Sequence, residues 1–172
     1  RHEIAGRRHD HDEDAFRNRL VRALIRVEEY GVVSAVIKAV EEMSKDRRGA
    51  LIVFERDMGL RNYVETGTKL EAKVSAELLE TIFTPHSPLH DGACVIRGDE
   101  IVAAGCILPL SQTEGLSPIL GTRHRAALGL AEETDAAVLI VSEETGAISV
   151  AHKGDLKWNL DEGQLRSELA AI

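Results

Sequence analysis

Apolar residues recur along this chain with two periods. Ala50 to Phe54, Ala93 to Ile96 and Ala137 to Val141 are short unbroken apolar runs, the pattern of strands buried on both faces. Ile101 to Ala104 and Ile148 to Ala151 read as further strands. Arg97-Gly98-Asp99-Glu100 predicts a β-hairpin between two of these runs, with residues 105–108 continuing or bending its second strand. Helical spacing appears elsewhere. Phe16, Leu20 and Leu24, with Val21 and Ile25 beside them, predict a helix capped by Asp14 and running to Tyr30. Gly31 is expected to interrupt it, and Val33, Val36, Ile37, Val40 and Met43 mark a second helical face. Tyr63-Val64-Glu65 predicts a short strand, and Leu70, Val74, Leu78 and Ile82 predict a helix closing near Phe83. Thr122 to Glu133 reads as a helix, and Asp161 as the cap of a last one with Leu165 and Leu169 facing in. The sum is an α/β fold: a single domain with a central mixed β-sheet surrounded by helices.

The first 13 residues carry charge and histidine but little apolar anchorage, so 1–13 is expected to be a flexible charged leader before a domain over 14–172. His9-Asp10-His11-Asp12 suits solvated chain better than a metal site. A length of 172 residues with 44% apolar content suffices for one well-formed core. No apolar run is long enough to span a bilayer, so the expectation is a soluble chain without direct membrane contact, and two cysteines in apolar runs place it in the cytoplasm. It starts at Arg1, which suggests a fragment or an unseen leader. The net charge of −8 argues against nucleic acid as a partner but leaves room for a local basic pocket. Cys94 and Cys106 lie in apolar runs and read as reduced core thiols.

Two stretches carry the chemistry. Pro85 and Pro88 stiffen a loop that delivers His90-Asp91-Gly92-Ala93 to the start of a strand. A carboxylate and an imidazole thus stand at a loop-to-strand junction, where scaffolds often present catalytic groups. The small residues after them admit a ligand close to the backbone. Gly121-Thr122-Arg123-His124-Arg125 then gathers two guanidinium groups, an imidazole and a hydroxyl at a predicted helix start, a set suited to phosphate. Neither the dinucleotide-binding glycine fingerprint nor the P-loop occurs. Ser142 and Glu143 follow a buried strand, where α/β sheets commonly collect ligands.

Asp91-Gly92-Ala93 and Arg123-His124-Arg125 resemble the two motifs of the diadenylate cyclase (DAC) domain family. The resemblance extends from about Arg48 to Gly154 and includes Gly49-Ala50-Leu51-Ile52-Val53, Tyr63-Val64-Glu65-Thr66-Gly67, Leu108-Pro109-Leu110-Ser111 and Val141-Ser142-Glu143-Glu144-Thr145-Gly146, in family order. It implies condensation of two ATP molecules into cyclic di-AMP and two pyrophosphates by face-to-face protomers of a homodimer. It further implies Mg²⁺ or Mn²⁺ held through Asp91, with His90 either a second ligand or only a neighbour. Asp91, Arg123, His124 and Arg125 become the implied catalytic set. Gly92, Ala93, Leu108, Thr122, Ser142 and Glu143 join the three motif residues of 123–125 around ATP, with Leu108 near adenine and Glu143 a candidate helper at the metal. The single-domain layout resembles the soluble part of the membrane-tethered subgroup. A His-Asp metal phosphohydrolase and a non-catalytic nucleotide sensor stand as the alternatives.

Overall fold

Successive residues of the central strands bury on opposite sides of one sheet, and both sides are covered by helices. The computed structural model describes residues 6–172, with side chains described at 14–24 and 29–172. Its elements are α1 (Gly6–Lys45), β1 (Ala50–Phe54), α2 (Arg61–Val64), β2 (Thr68–Lys73), α3 (Ala76–Ile82), β3 (Ala93–Arg97), β4 (Glu100–Cys106), α4 (Thr122–Glu133), β5 (Ala137–Val141), β6 (Ile148–His152), β7 (Asp155–Lys157) and α5 (Glu162–Ala171).

The chain divides into two units, Arg1–Gly31 and Val32–Ile172. In the first, the backbone is helical from Gly6, so the expected helix start at Asp14 is corrected: Asp14 lies inside α1, and its carboxylate accepts from Arg17 at 2.7 Å. Phe16, Leu20 and Leu24 are exposed there. The leader's residues 1–5 lie outside the described residues, as do the side chains of His9 and His11. The expected break at Gly31 is also corrected, because α1 includes that residue. An interior glycine costs a helix roughly 1 kcal/mol without ending it.

The second unit holds a seven-stranded mixed sheet in the order β2-β4-β3-β1-β5-β6-β7. β1 and β3 are parallel, and every other pairing is antiparallel. Ile52, Cys94, Ile96, Leu139 and Val141 pack with Val36, Val40 and Met43 of α1, Leu79 and Ile82 of α3, and Leu165 of α5. Leu51, Val53, Val95, Val138 and Ile140 pack with Leu60, Val64 and the α4 residues Ala127, Leu130 and Ala131.

Two expectations fail around the edge strand. Tyr63-Val64-Glu65 is not a strand, since Arg61–Val64 is one helical turn that buries Leu60 and Val64 together. Leu70 does not begin a helical stripe: it belongs to β2, whose side chains are half-buried or exposed. The helix starts later, where the Ser75 hydroxyl accepts from the Leu78 N–H. The hairpin, the bounds of α4 and the Asp161 cap follow the sequence reading, and Asp161 and Gln164 form a capping box.

Candidate active site

Strand register brings the two motif stretches to one end of the sheet. Ile52 is level with Cys94, Ala50 with Val141, and Ala93 with Cys106. Gly49 before β1, Asp91-Gly92 before β3, Leu108 after β4 and Ser142-Glu143 after β5 therefore lie at the same edge. The N-terminus of α4 reaches that edge too. Arg123 makes a 3.3 Å ion pair with Glu143, and its guanidinium lies against Gly49.

Asp91 is exposed, and its carboxylate makes no hydrogen bond or ion pair among the described residues. The His90 ring bonds the Ser87 carbonyl through Nδ1 at 2.6 Å, which leaves Nε2 as its other potential ligand atom. Gly92 has a backbone reason to be glycine. Its φ is +97°, and a Cβ there would lie 2.7 Å from the Cys106 carbonyl oxygen. This close approach fixes how Asp91 leaves the loop. Ala93 is fully buried beneath it.

At the other motif, Gly121 precedes α4 in an extended conformation and supplies no side-chain cap. The first N–H groups of the helix are thus open to an acceptor, and a helix N-terminus favours negative charge. Thr122 is exposed, and Arg123 and Arg125 are half-buried. His124 differs: it is 5% exposed, and its Nε2 has no partner. Burial, then the neighbouring Arg123 charge, pulls its pKa below the ordinary histidine value. His124 is thus turned into the interior, while its neighbour Arg123 stays half-buried.

The Ser142 hydroxyl accepts from the N–H groups of Glu144 and Thr145, both at 3.3 Å, so it organises its own turn. That turn is pinned to the end of α1, where the Ser44 hydroxyl donates to the Gly146 carbonyl at 2.5 Å. Leu108 is buried among the residues packed on α4. Pro109 and Ser111 cross α4 closely, with the Ser111 N–H on the Arg125 carbonyl at 2.9 Å. Both thiols are buried: Cys106 is pushed up to about 11 and Cys94 is also pushed up, each chiefly by burial. Neither is poised as a nucleophile.

Among the described residues, no three His, Cys, Asp or Glu side chains gather where they could hold a metal ion. The ligand cluster of a His-Asp hydrolase is therefore not formed by them. The exposed Asp91 carboxylate does suit a magnesium-type ion, which commonly takes one or two carboxylate ligands and completes its shell from water and substrate phosphates.

Residues 37–156 match the family model described as DAC, the DisA bacterial checkpoint controller nucleotide-binding domain. This chain belongs to that family. It is 53% identical over 139 residues to the cyclic di-AMP synthase CdaA of Bacillus subtilis, covering 81% of this chain and 51% of the relative. It is 48% identical over 145 residues to a diadenylate cyclase of Listeria monocytogenes, covering 84% and 53%. The chain therefore spans about half the length of these curated relatives. Among solved structures, DacA from Staphylococcus aureus superposes with a TM-score of 0.81 at 48% identity, covering 83% of this chain and 95% of that one. A hypothetical membrane spanning protein from Bacillus cereus gives 0.72, also at 48% identity, covering 74% and 63%. In this chain itself, no helix of the described residues is long and apolar enough to cross a membrane.

Gly49 was visible in the sequence only as part of a family-like run. Its contact with Arg123, and that of Arg123 with Glu143, join segments far apart in the chain and leave no local signature.

Proposed function

We propose that this chain is the catalytic domain of a diadenylate cyclase, with residues 14–172 as the domain and about 48–154 carrying its motifs. The observation that carries the reading is the meeting of Asp91, the uncapped α4 N-terminus with Arg123, and the Ser142-Glu143 turn at one sheet edge. The names borne by close relatives support the same activity.

In this reading ATP lies along the edge with its phosphates toward α4. The open N–H groups of α4, the Thr122 hydroxyl and the guanidinium groups of Arg123 and Arg125 hold the phosphate oxygens. Ser142 adds a hydroxyl, and Leu108 packs beside adenine. Gly92 and Ala93 keep the approach to Asp91 unobstructed. The Asp91 carboxylate orients the ribose 3′-hydroxyl and receives its proton. The 3′-oxygen forms a bond to the α-phosphorus of a second ATP, the bond to the pyrophosphate oxygen breaks, and pyrophosphate departs. The same step in the opposite sense closes the ring. Mg²⁺ or Mn²⁺, held by Asp91 with His90 as a candidate second ligand, would neutralise the phosphate charge and polarise the α-phosphorus. His124 supports the site from the interior.

Two equivalent bonds call for two equivalent half-sites, so the catalytic unit in this reading is a homodimer meeting edge to edge. Ile107 and Leu110, both large, apolar and exposed, follow β4 at that edge and suit a second copy of the chain. The cytoplasm, where ATP is available, is the compartment that goes with this activity.

The test is incubation with ATP and Mg²⁺ or Mn²⁺, followed by chromatography and mass analysis. Cyclic di-AMP with two equivalents of pyrophosphate supports the reading. ADP or AMP alone would indicate a hydrolase, and bound unchanged ATP a sensor.

A further inference from the structure

We infer that Gly49 is a positioning residue for Arg123: the absent side chain at residue 49 is the seat on which the phosphate-binding guanidinium rests. The inference deepens the cyclase reading and rests on it for the meaning of Arg123. A Cβ built on Gly49 would lie 2.5 Å from both Cζ and Nη1 of Arg123 and 2.9 Å from Nη2. Those distances are shorter than any carbon side chain tolerates, so the guanidinium occupies the space that an alanine methyl would fill.

Backbone conformation does not account for the glycine. Unlike Gly92, Gly49 has a φ outside the left-handed region, so alanine could adopt its main-chain geometry. The atoms in the way are all at the tip of one flexible side chain, with no backbone among the nearest three. Among the nearest atoms outside its chain neighbours, the demand for glycine therefore comes from the placement of Arg123.

The seat has a second wall. Glu143 pairs with the same guanidinium at 3.3 Å, and its turn is tied to α1 through Ser44 and Gly146. Gly146 is itself tight, with a φ of +76° and a built Cβ 2.5 Å from the Ser44 carbonyl oxygen. Arg123 thus rests between the bare backbone of Gly49 and a carboxylate on an anchored turn, its own side chain 23% exposed and that of Glu143 65%. A long side chain held this way enters binding with its fork already aimed, so less freedom is lost when phosphate arrives. Glu143 here orients the arginine, a different role from ligating a metal.

The experiment is a double-mutant cycle between Gly49→Ala and Arg123→Ala, read by calorimetric titration with ATP and with AMP. Gly49→Ala should weaken ATP by about tenfold, the lower end for displacing one charge-assisted contact, and leave AMP nearly unchanged. In the Arg123→Ala background the same methyl should cost nothing further. An unchanged ATP affinity in Gly49→Ala, or an equal loss in both backgrounds, would overturn the seat. Thermal melting supplies a second cycle. If Gly49→Ala melts lower than wild type, Arg123→Ala should abolish that difference, and its persistence would mean that the backbone itself resists the methyl. The Arg123 Nε–H resonance, assigned by its loss in Arg123→Ala, should also shift in Gly49→Ala without any nucleotide present. That signal separates the two readings: a shifted resonance in a protein that makes no cyclic product sinks the cyclase and keeps the seat, and an unmoved resonance in an active enzyme does the reverse.

Discussion

Asp91 is an exposed carboxylate placed by a glycine that cannot be replaced without collision, so its chemistry and the loop's geometry are separable. Asp91→Asn keeps the shape and removes the charge. We expect it to retain fold and ATP binding and to lower cyclic product by about 10²- to 10⁴-fold, the usual range for a positioned acid or base. Wild-type turnover in the variant, at matched circular dichroism, would falsify the role of Asp91. His124 gives a pH prediction. Its folded pKa lies below the ordinary value of 6.5, so between the two values the unfolded chain binds the extra proton. The stability this contributes is complete above pH 6.5 and is lost as pH falls below it. The denaturant midpoint should therefore drop on acidification through that window, and His124→Gln should reduce the drop. Some of it will remain, because His152 shifts in the same direction, first through burial and then through Lys153. At this scale the sequence offered Asp91 and Arg123-His124-Arg125 as the candidates for chemistry. It could not show that His124 is buried while Arg123 stays half-buried, because helical neighbours diverge and only packing decides which one faces the interior.

Among the elements, α4 is the piece on which both motif geometry and loop geometry depend. Gly129 in its middle admits the Pro109 carbonyl, and a Cβ there would lie 2.0 Å from that oxygen. Two effects compete in Gly129→Ala. Helix propensity favours alanine by about 1 kcal/mol, whereas overpacking against main chain costs about 1–3 kcal/mol. With the backbone so near, the collision should win. We expect a lower melting temperature and weaker protection of the 109–120 loop, measured by calorimetry and limited proteolysis; a rise in melting temperature would refute the contact. The elements that the sequence made legible have strong local signals. β1, β3 and β5 are apolar runs, and α5 has its capping box. β2 was illegible for physical reasons. It is an edge strand with exposed charged residues, and its register shifts between Lys69 and Ala72 beside Glu71, whose φ is +49°. That irregularity breaks the alternation that identifies a strand, while Leu70 and Val74 mimic a helical spacing. α2 deceived in the opposite direction, since Tyr63 and Val64 favour strands but the turn follows the joint burial of Leu60 and Val64.

For the molecule as a whole, the proposed twofold product calls for a twofold catalyst, and the proposed dimer can be tested by mixing. If each Asp91 serves the hydroxyl of the ATP on its own protomer, a dimer of wild type and Asp91→Asn makes one bond and not the other. Titrating the variant into a fixed amount of wild type should then depress ring formation and release a linear dinucleotide bearing a triphosphate, separable by chromatography. Constant ring output with no linear species would mean that the protomers act alone or that Asp91 has another task. A different consequence follows from the place of β1. It is the middle strand of seven, flanked on one side by its parallel neighbour β3 and on the other by β5. Gly49 leads into it, so the seat of Arg123 is continuous with the least accessible ladder in the fold. Opening that ladder requires separating both halves of the sheet, whereas β2 and β7 at the margins can fray alone. In deuterated water, amides of Leu51 to Val53 should exchange only at the rate of global unfolding, while those of β2 and β7 exchange orders of magnitude sooner. The proposed nucleotide site then loosens only when the whole protein does, and heat should abolish ATP binding and tertiary structure at the same temperature.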